Sequence, residues 1–469
     1  MRILLVEPDY KSKFPPLGLL KIGTFHKSRG DRVAFVRGLT EHEYWDRIYI
    51  TALFSFHHDK IIKTILHYKD MLRGDVSRIF VGGGYATLCP QNIYGETGIY
   101  PIKGLLDKPN MLGLGEENVD SMVPDYELLD DLHKSTGYDY GLQNCYFGYA
   151  TRGCVNKCKF CAVPILEPAF VNYTGLKEYI ETVKEKFGER QNLVLMDNNV
   201  LASDEFDRII GDLIDLGFER GAKLKGRSRF VDFNQGLETE RITREKAKKL
   251  ARICLKPVRL AYDFATKSVR KHFEHAIQYL AGEGITDFST YILYNYEDKP
   301  SDFYSRLNHC RELNERLGVQ IYSFPMRYLP WTGTDRSHVG KHWNRKMISG
   351  LQKITNVTHG SVMPGSEFFR RAYGTSVEEF EAICAMPDNL ILYRGKTDEA
   401  NEDAIVAAKW RENFLRLTPA QKQEYWNLVD FAPFNTGRIN ESLALTKTTQ
   451  IKELLAGFFY VPQKINNKK

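Results

Sequence analysis

Three cysteines, Cys154, Cys158 and Cys161, stand within the run Arg152-Gly-Cys-Val-Asn-Lys-Cys-Lys-Phe-Cys161. Thiolates are soft ligands for zinc and for iron–sulfur clusters, and a C-x3-C-x2-C spacing puts three of them on one short loop. Three thiolates cannot complete a four-thiolate site. An iron–sulfur cube held by three keeps one iron open to another ligand, so such a site does chemistry as well as carrying electrons. Structural zinc takes four protein ligands, usually as two spaced pairs. Here the fourth would come from Cys145 or a distant residue, since the next cysteine is Cys254 and no second C-x2-C pair exists. A disulfide framework fits poorly with eight cysteines in 469 residues, because disulfide scaffolds are dense in cysteine and small.

The surrounding chain must position this loop. Hydrophobic residues make up 43% and charged residues 26%, an ordinary globular balance for two or three domains. A net charge of +6 is mild for this length and gives no support for nucleic-acid binding. The N-terminal apolar run Ile3–Val6 is too short for a signal peptide, and no stretch reaches transmembrane length. A cytoplasmic protein without membrane contact is expected, in a compartment reducing enough for a cluster. Apolar runs Arg2–Val6, Arg32–Val36, Arg47–Leu53 and Arg78–Val81 alternate with helical patterns at Leu19–Arg29 and His58–Leu72. That alternation predicts a doubly wound parallel sheet. Gly82-Gly83-Gly84 after the fourth run either brings backbone close to a ligand or makes a tight turn. A second series of strands is predicted near Tyr149, Val194, Val231, Leu260, Ile292 and Tyr322, one strand and one helix apart. Six such units make a partial (β/α)6 barrel. After about Asn344 the pattern turns mainly helical. The expected partition is 1–120, a linker at 121–144, the partial barrel at 145–345 and a mainly α C-terminal extension at 346–469. The cysteine loop follows the first strand of the second series, at the carboxyl end where such barrels place their active sites.

The triplet, with Phe160 just before the last cysteine and its place at the start of a six-unit β/α array, resembles the radical S-adenosylmethionine superfamily over about Tyr149–Pro330. The resemblance implies a [4Fe–4S] cluster on Cys154, Cys158 and Cys161, whose open iron is chelated by the amino and carboxylate groups of S-adenosylmethionine. Cleavage of the sulfonium by one electron then yields a 5′-deoxyadenosyl radical. It also implies a one-electron reductant such as flavodoxin or ferredoxin. Phe160 is a candidate cofactor contact by the same resemblance. The superfamily's glycine-rich acidic motif after the second strand is replaced by Met196-Asp197-Asn198-Asn199. Asp197 still accepts from an ammonium and Asn198 offers a side-chain carbonyl. Asn234 and Gln235, after the third strand, carry amides suited to ribose hydroxyls or carboxylate oxygens. Asp263 ends the fourth strand, and Arg327 follows the sixth.

Residues 1–120 resemble, more loosely, the cobalamin-binding domain that precedes many of these enzymes, through Pro15-Pro16-Leu17-Gly18 and the Gly82–Gly84 turn. The D-x-H-x-x-G signature is absent, and Glu7-Pro-Asp-Tyr10 follows the first strand. His57 and His58 lie at another strand end. With cobalamin bound, methylation of an unactivated carbon or phosphorus is the expected reaction; without it, rearrangement or sulfur insertion. A non-catalytic iron–sulfur regulatory module is the rival of another class. The segment Tyr328–Lys346, with Trp331, His338, Lys341, His342, Trp343 and Arg345, reads either as a loop closing on an anionic substrate or as a basic interdomain surface.

Overall fold

The computed structural model describes residues 1–41, 43–142, 144–393, 402–431 and 434–462. The chain divides into two compact units, Met1–Val258 with Leu329–His338, and Arg259–Tyr328 with Val339–Lys469.

The first unit opens with a parallel sheet of order β2-β1-β3-β4, made by β1 (Arg2–Glu7), β2 (Arg32–Arg37), β3 (Arg47–Thr51) and β4 (Ile79–Gly82). Ile3, Leu4, Leu5 and Val6 are all fully buried. A strand with no solvent-facing side must be covered on both faces, which is why it reads as a continuous apolar run. Helices α1 (Leu17–Ser28) and α2 (His58–Met71) make crossovers, and α3 (Gly84–Leu88) and α4 (Pro90–Thr97) follow β4. The strand order reverses between β1 and β3, the topological switch point of this sheet. In the segment 121–144, α5 (Tyr126–Thr136) is capped by Asp125, whose carboxylate accepts from the N–H groups of Glu127 and Leu128. Its Tyr126 hydroxyl accepts from the Phe147 N–H at 2.8 Å.

The same unit then carries β5 (Cys145–Gly148), β6 (Asn192–Leu195), the small hairpin β7 (Lys223–Leu224) and β8 (Arg227–Ser228), and β9 (Val231–Phe233). β5, β6 and β9 form a parallel sheet. Helices α6 (Val163–Leu166), α7 (Leu176–Phe187), α8 (Phe206–Asp215) and α9 (Arg244–Leu250) alternate with these strands. On α8, Phe206, Ile209, Ile210 and Leu213 are buried at helical spacing, with Asp207 and Arg208 outside. Full burial of each aliphatic side chain contributes about 1.5–3 kcal/mol, so this stripe fixes the helix against its sheet.

The second unit contains the parallel sheet β10 (Val258–Ala261), β11 (Asp287–Tyr294) and β12 (Gln320–Arg327), with α10 (Lys267–Gly282) and α11 (Pro300–Leu317). The buried Arg306 donates to the carbonyls of Tyr262, Asp263 and Leu293 and to the Asp298 carboxylate. One guanidinium thus ties together the carboxyl ends of β10 and β11. Eight further helices lie between Arg345 and Ala456 among the described residues. In them the buried Lys346 meets Asp388 at 3.2 Å, and burial lowers its pKa.

The protein is therefore α/β, with parallel sheets and a mainly α region after residue 345. The six strands expected in the second series are all present, in two three-stranded sheets and without a closed barrel. The β7–β8 hairpin is an element that the strand–helix spacing did not predict. β3 stops two residues short of the expected Leu53, because the carbonyls of Ala52 and Leu53 turn to accept from the Tyr85 N–H. Among the described residues, no helix is long and apolar enough to cross a membrane.

Candidate functional site

β5 is buried along its length and ends at Gly148, where a Cβ would lie 3.0 Å from the Tyr179 ring. The chain then turns through Ala150 and Thr151 on the carboxylate of Asp197, the second residue after β6. Asp197 accepts from the Ala150 N–H at 3.0 Å, from the Thr151 N–H and from the Thr151 hydroxyl at 2.7 Å. Burial pushes its pKa up to about 6 against the pull of these bonds. Asp197 thereby joins the carboxyl ends of two neighbouring parallel strands.

The cysteines lie on a loop whose base is closed by backbone pairing of Arg152 with Val171, at 3.2 and 2.9 Å. Glu167 staples this loop from within. Its carboxylate accepts from the Gly153 N–H at 2.7 Å, Arg152 Nη2 at 2.9 Å and Asn198 Nδ2 at 3.1 Å. Gly153 has φ +67°, and a Cβ there would sit 2.3 Å from the Ala169 carbonyl oxygen. Only glycine satisfies both the left-handed backbone and the close approach.

Cys158 is exposed, while Cys154 and Cys161 are half-buried. Cys154 Sγ accepts from the Asn156 N–H at 3.4 Å and lies 3.6 Å from Asn199 Nδ2. Cys161 Sγ accepts from the Val163 N–H at 3.5 Å. Hydrogen bonds to sulfur stabilise thiolates and tune clusters bound to them, so the donor set and its N–H partners fit an iron–sulfur group. Among the described residues, no three His, Cys, Asp or Glu side chains are drawn together as a single-ion site. The fourth thiolate that structural zinc requires is not supplied by either cysteine nearest in sequence. Cys145 is the first residue of β5, at the opposite end of the strand from the loop, and burial pushes its thiol up to about 12. Cys254 accepts through its carbonyl from Val231, the first residue of β9, again at an amino end.

Asn198 is bonded to Glu167, and Phe160 is half-buried on the loop between Cys158 and Cys161. Asn234 and Gln235 follow β9. Asn234 is buried, its N–H bonds the Leu195 carbonyl, and Gln235 is exposed with Nε2 3.3 Å from Asn234 Oδ1. Two residues that the sequence reading passed over join them. Asn199 is buried, and its Oδ1 has no hydrogen-bond partner among the described residues. Glu238 accepts from Asn199 Nδ2 at 2.6 Å, Asn156 Nδ2 at 2.9 Å and Arg241 Nε at 2.7 Å. Burial raises the Glu238 pKa, but these donors outweigh it and hold the carboxyl below its usual range. The run Gln235-Gly-Leu-Glu238 carries no periodic signal that marks its last residue as a partner of the cysteine loop.

In the second unit Asp263 lies just beyond β10, half-buried, and burial pushes its pKa up to about 6 despite the nearby Arg306. Arg327 is the last residue of β12. Of the basic segment, Trp343 is buried with Nε1 on the Asp298 carbonyl at 3.0 Å. Residues 329–338 belong to the first unit, where Trp331 packs on the core of the N-terminal sheet and Arg336 stands 4.4 Å from the centre of the Phe56 ring.

At the N-terminal sheet, a Cβ on Gly83 would meet the Ala52 oxygen at 2.8 Å, and one on Gly84 the Leu53 oxygen at 3.1 Å. These glycines serve a close backbone approach. His58 has Nδ1 2.7 Å from the Tyr85 hydroxyl and Nε2 2.7 Å from Glu96. His57 stacks flat on Tyr10 at 5.0 Å. Both nitrogens of His58 are thus engaged within the protein, and no histidine stands in the run Glu7-Pro-Asp-Tyr10 after β1.

No protein-family model matches the chain, and no curated protein does. Solved structures give loose overlaps. The cobalamin-dependent S-adenosylmethionine radical enzyme OxsB aligns at 11% identity over 100% of this chain and 79% of its own, with a TM-score of 0.45. Streptococcus suis SuiB, bound to precursor peptide SuiA, aligns at 13% identity over 61% and 70%, with a TM-score of 0.33. HydG, a maturase of the [FeFe]-hydrogenase, aligns at 16% identity over 75% and 89%, also at 0.33. At these scores the overlaps carry no argument about this chain, and the functional reading rests on the site itself.

Proposed function

We propose that the protein is a radical S-adenosylmethionine enzyme. The observation that carries the reading is the three-cysteine loop at the carboxyl end of β5, with hydrogen-bonded sulfurs and polar residues from the ends of β6 and β9. When bound, a [4Fe–4S] cluster supplies one electron to the sulfonium of S-adenosylmethionine, which breaks into methionine and a 5′-deoxyadenosyl radical able to take a hydrogen atom from a substrate. A one-electron reductant such as flavodoxin or ferredoxin is the proposed electron source.

The chain's own residues have distinct tasks in this reading. Cys154, Cys158 and Cys161 provide the thiolates. Asp197 and Glu167 hold the start and base of the loop, and Asn198 is tied to Glu167. Asn199 Oδ1 is a buried acceptor beside Cys154 and offers itself to an ammonium group. Asn234 and Gln235 present amides for ribose or carboxylate oxygens, and Phe160, between Cys158 and Cys161, is a cofactor contact. No step is routed through cobalamin; without it, hydrogen abstraction leads to rearrangement or sulfur insertion.

Anaerobic reconstitution with iron and sulfide tests the proposal. A broad visible absorbance should appear and bleach on reduction, and S-adenosylmethionine should then yield 5′-deoxyadenosine. Absence of the absorbance overturns the cluster. A reducible cluster without 5′-deoxyadenosine leaves the non-catalytic iron–sulfur module instead.

A further inference from the structure

The Glu238 carboxylate lies in the loop after β9, 82 residues from the asparagine of the cysteine loop to which it is bonded. It holds both residues, Asn156 and Asn199, that donate to one sulfur. Asn156 gives its backbone N–H to Cys154 Sγ and its side-chain Nδ2 to Glu238 Oε1. Asn199 directs one amide nitrogen at both Glu238 Oε2 and Cys154 Sγ, and a primary amide has two hydrogens to share between two acceptors. The carboxylate is anchored by Arg241 Nε at 2.7 Å. Each link is short, and both routes converge on Cys154.

We infer that Glu238 is a positioning residue that sets the reduction potential of the cluster by holding the two N–H donors on Cys154 Sγ. This rests on the proposed function above. Hydrogen bonds to a cluster's sulfur ligands draw charge from it and ease reduction, and partners one shell out from the ligands commonly change metal affinity 10- to 100-fold. The Cys154 sulfur receives a side-chain donor, Asn199 Nδ2, from the end of the neighbouring strand β6. The cluster edge at Cys154 is therefore an edge tuned by the fold, whereas Cys158 is exposed.

Glu238→Ala, Glu238→Gln and Asn199→Ala separate this from a merely structural role. In the reconstituted protein the midpoint potential, read by electron paramagnetic resonance during a redox titration, should move to more negative values in Glu238→Ala. Asn199→Ala, which removes one donor and leaves Asn156 held, should shift it the same way by less. Glu238→Gln retains one acceptor and should fall between wild type and Glu238→Ala. Cluster affinity in Glu238→Ala should drop roughly 10-fold. In the metal-free protein, amide exchange at Asn156 should accelerate in Glu238→Ala and stay at the wild-type rate in Asn199→Ala. Potentials equal to wild type in both alanine variants overturn the inference. If Glu238→Ala assembles no cluster, Asn199→Ala and the metal-free exchange decide it: unchanged values in both overturn it. A wild-type protein that assembles no cluster overturns the proposed function instead, so the two failures are distinct.

Discussion

Replacing Glu167 by alanine should loosen the cysteine loop without unfolding the chain. The side chain accepts three hydrogen bonds, from the Gly153 N–H, Arg152 Nη2 and Asn198 Nδ2. Arg152 keeps a second partner in Asp120 at 3.3 Å, and Asn198 is only half-buried and so reaches water, so those two donors are partly compensated. A hydrogen bond to a charged group contributes about 1.5–3 kcal/mol. Counting the Gly153 bond fully and the other two together as one more gives a local cost of about 3 kcal/mol. At 1.4 kcal/mol per tenfold, that is roughly a hundredfold rise in the population of the opened loop. The assay is hydrogen exchange of the metal-free protein at the Arg152 and Val171 amides, the pair that closes the loop base. Both should exchange about 100-fold faster in Glu167→Ala, while amides of β1 stay at the wild-type rate. Glu167→Gln, which still accepts from Gly153, should show a smaller effect. Wild-type protection at Arg152 and Val171 in the alanine variant refutes the stapling role.

Three further outcomes are expected. Cys158→Ser should abolish both the cluster absorbance and 5′-deoxyadenosine formation, whereas Cys145→Ser, at the far end of β5, should assemble the wild-type iron content. Iron analysis after desalting compares them, and loss of cluster in Cys145→Ser restores a four-thiolate site. Burial outweighs Arg37 and Tyr140 and raises Glu7 to about 7. Its folded pKa thus lies above the unfolded value, so its contribution to stability is full below about 4.5 and is lost as pH rises through about 7. Urea unfolding followed at several pH values should show this slope flattened in Glu7→Gln. Finally, His58→Ala should leave the visible spectrum of protein incubated with hydroxocobalamin unchanged, since both nitrogens of His58 are already bonded, to Tyr85 of α3 and Glu96 of α4. A spectral change dependent on His58 would make it a cobalt ligand.

Much of the secondary structure was legible because its signals are local. The apolar run Ile3–Val6 marks a strand with both faces covered, and the spacing of Phe206, Ile209, Ile210 and Leu213 marks a helix with one buried face. The β7–β8 hairpin was not legible, since each of its strands has two residues and so no alternation to read. Within the site, Asp197 and Asn198 stood out as polar residues at a strand end. Their bonds to Thr151 and Glu167 depend on which strand lies beside β6, and sequence spacing is silent on that.

The sequence by itself determined the ligand chemistry. Three thiols on one loop set the donor type and the incomplete count. Tertiary structure decided how those thiols are held. The parallel order β5-β6-β9 brings the ends of three strands together, so Asp197, Asn199 and Glu238 reach partners 45 to 82 residues away. Periodicity records which face of an element is apolar. The partner of a polar side chain at a strand's end depends on the neighbouring strand, and that is fixed only when the sheet forms.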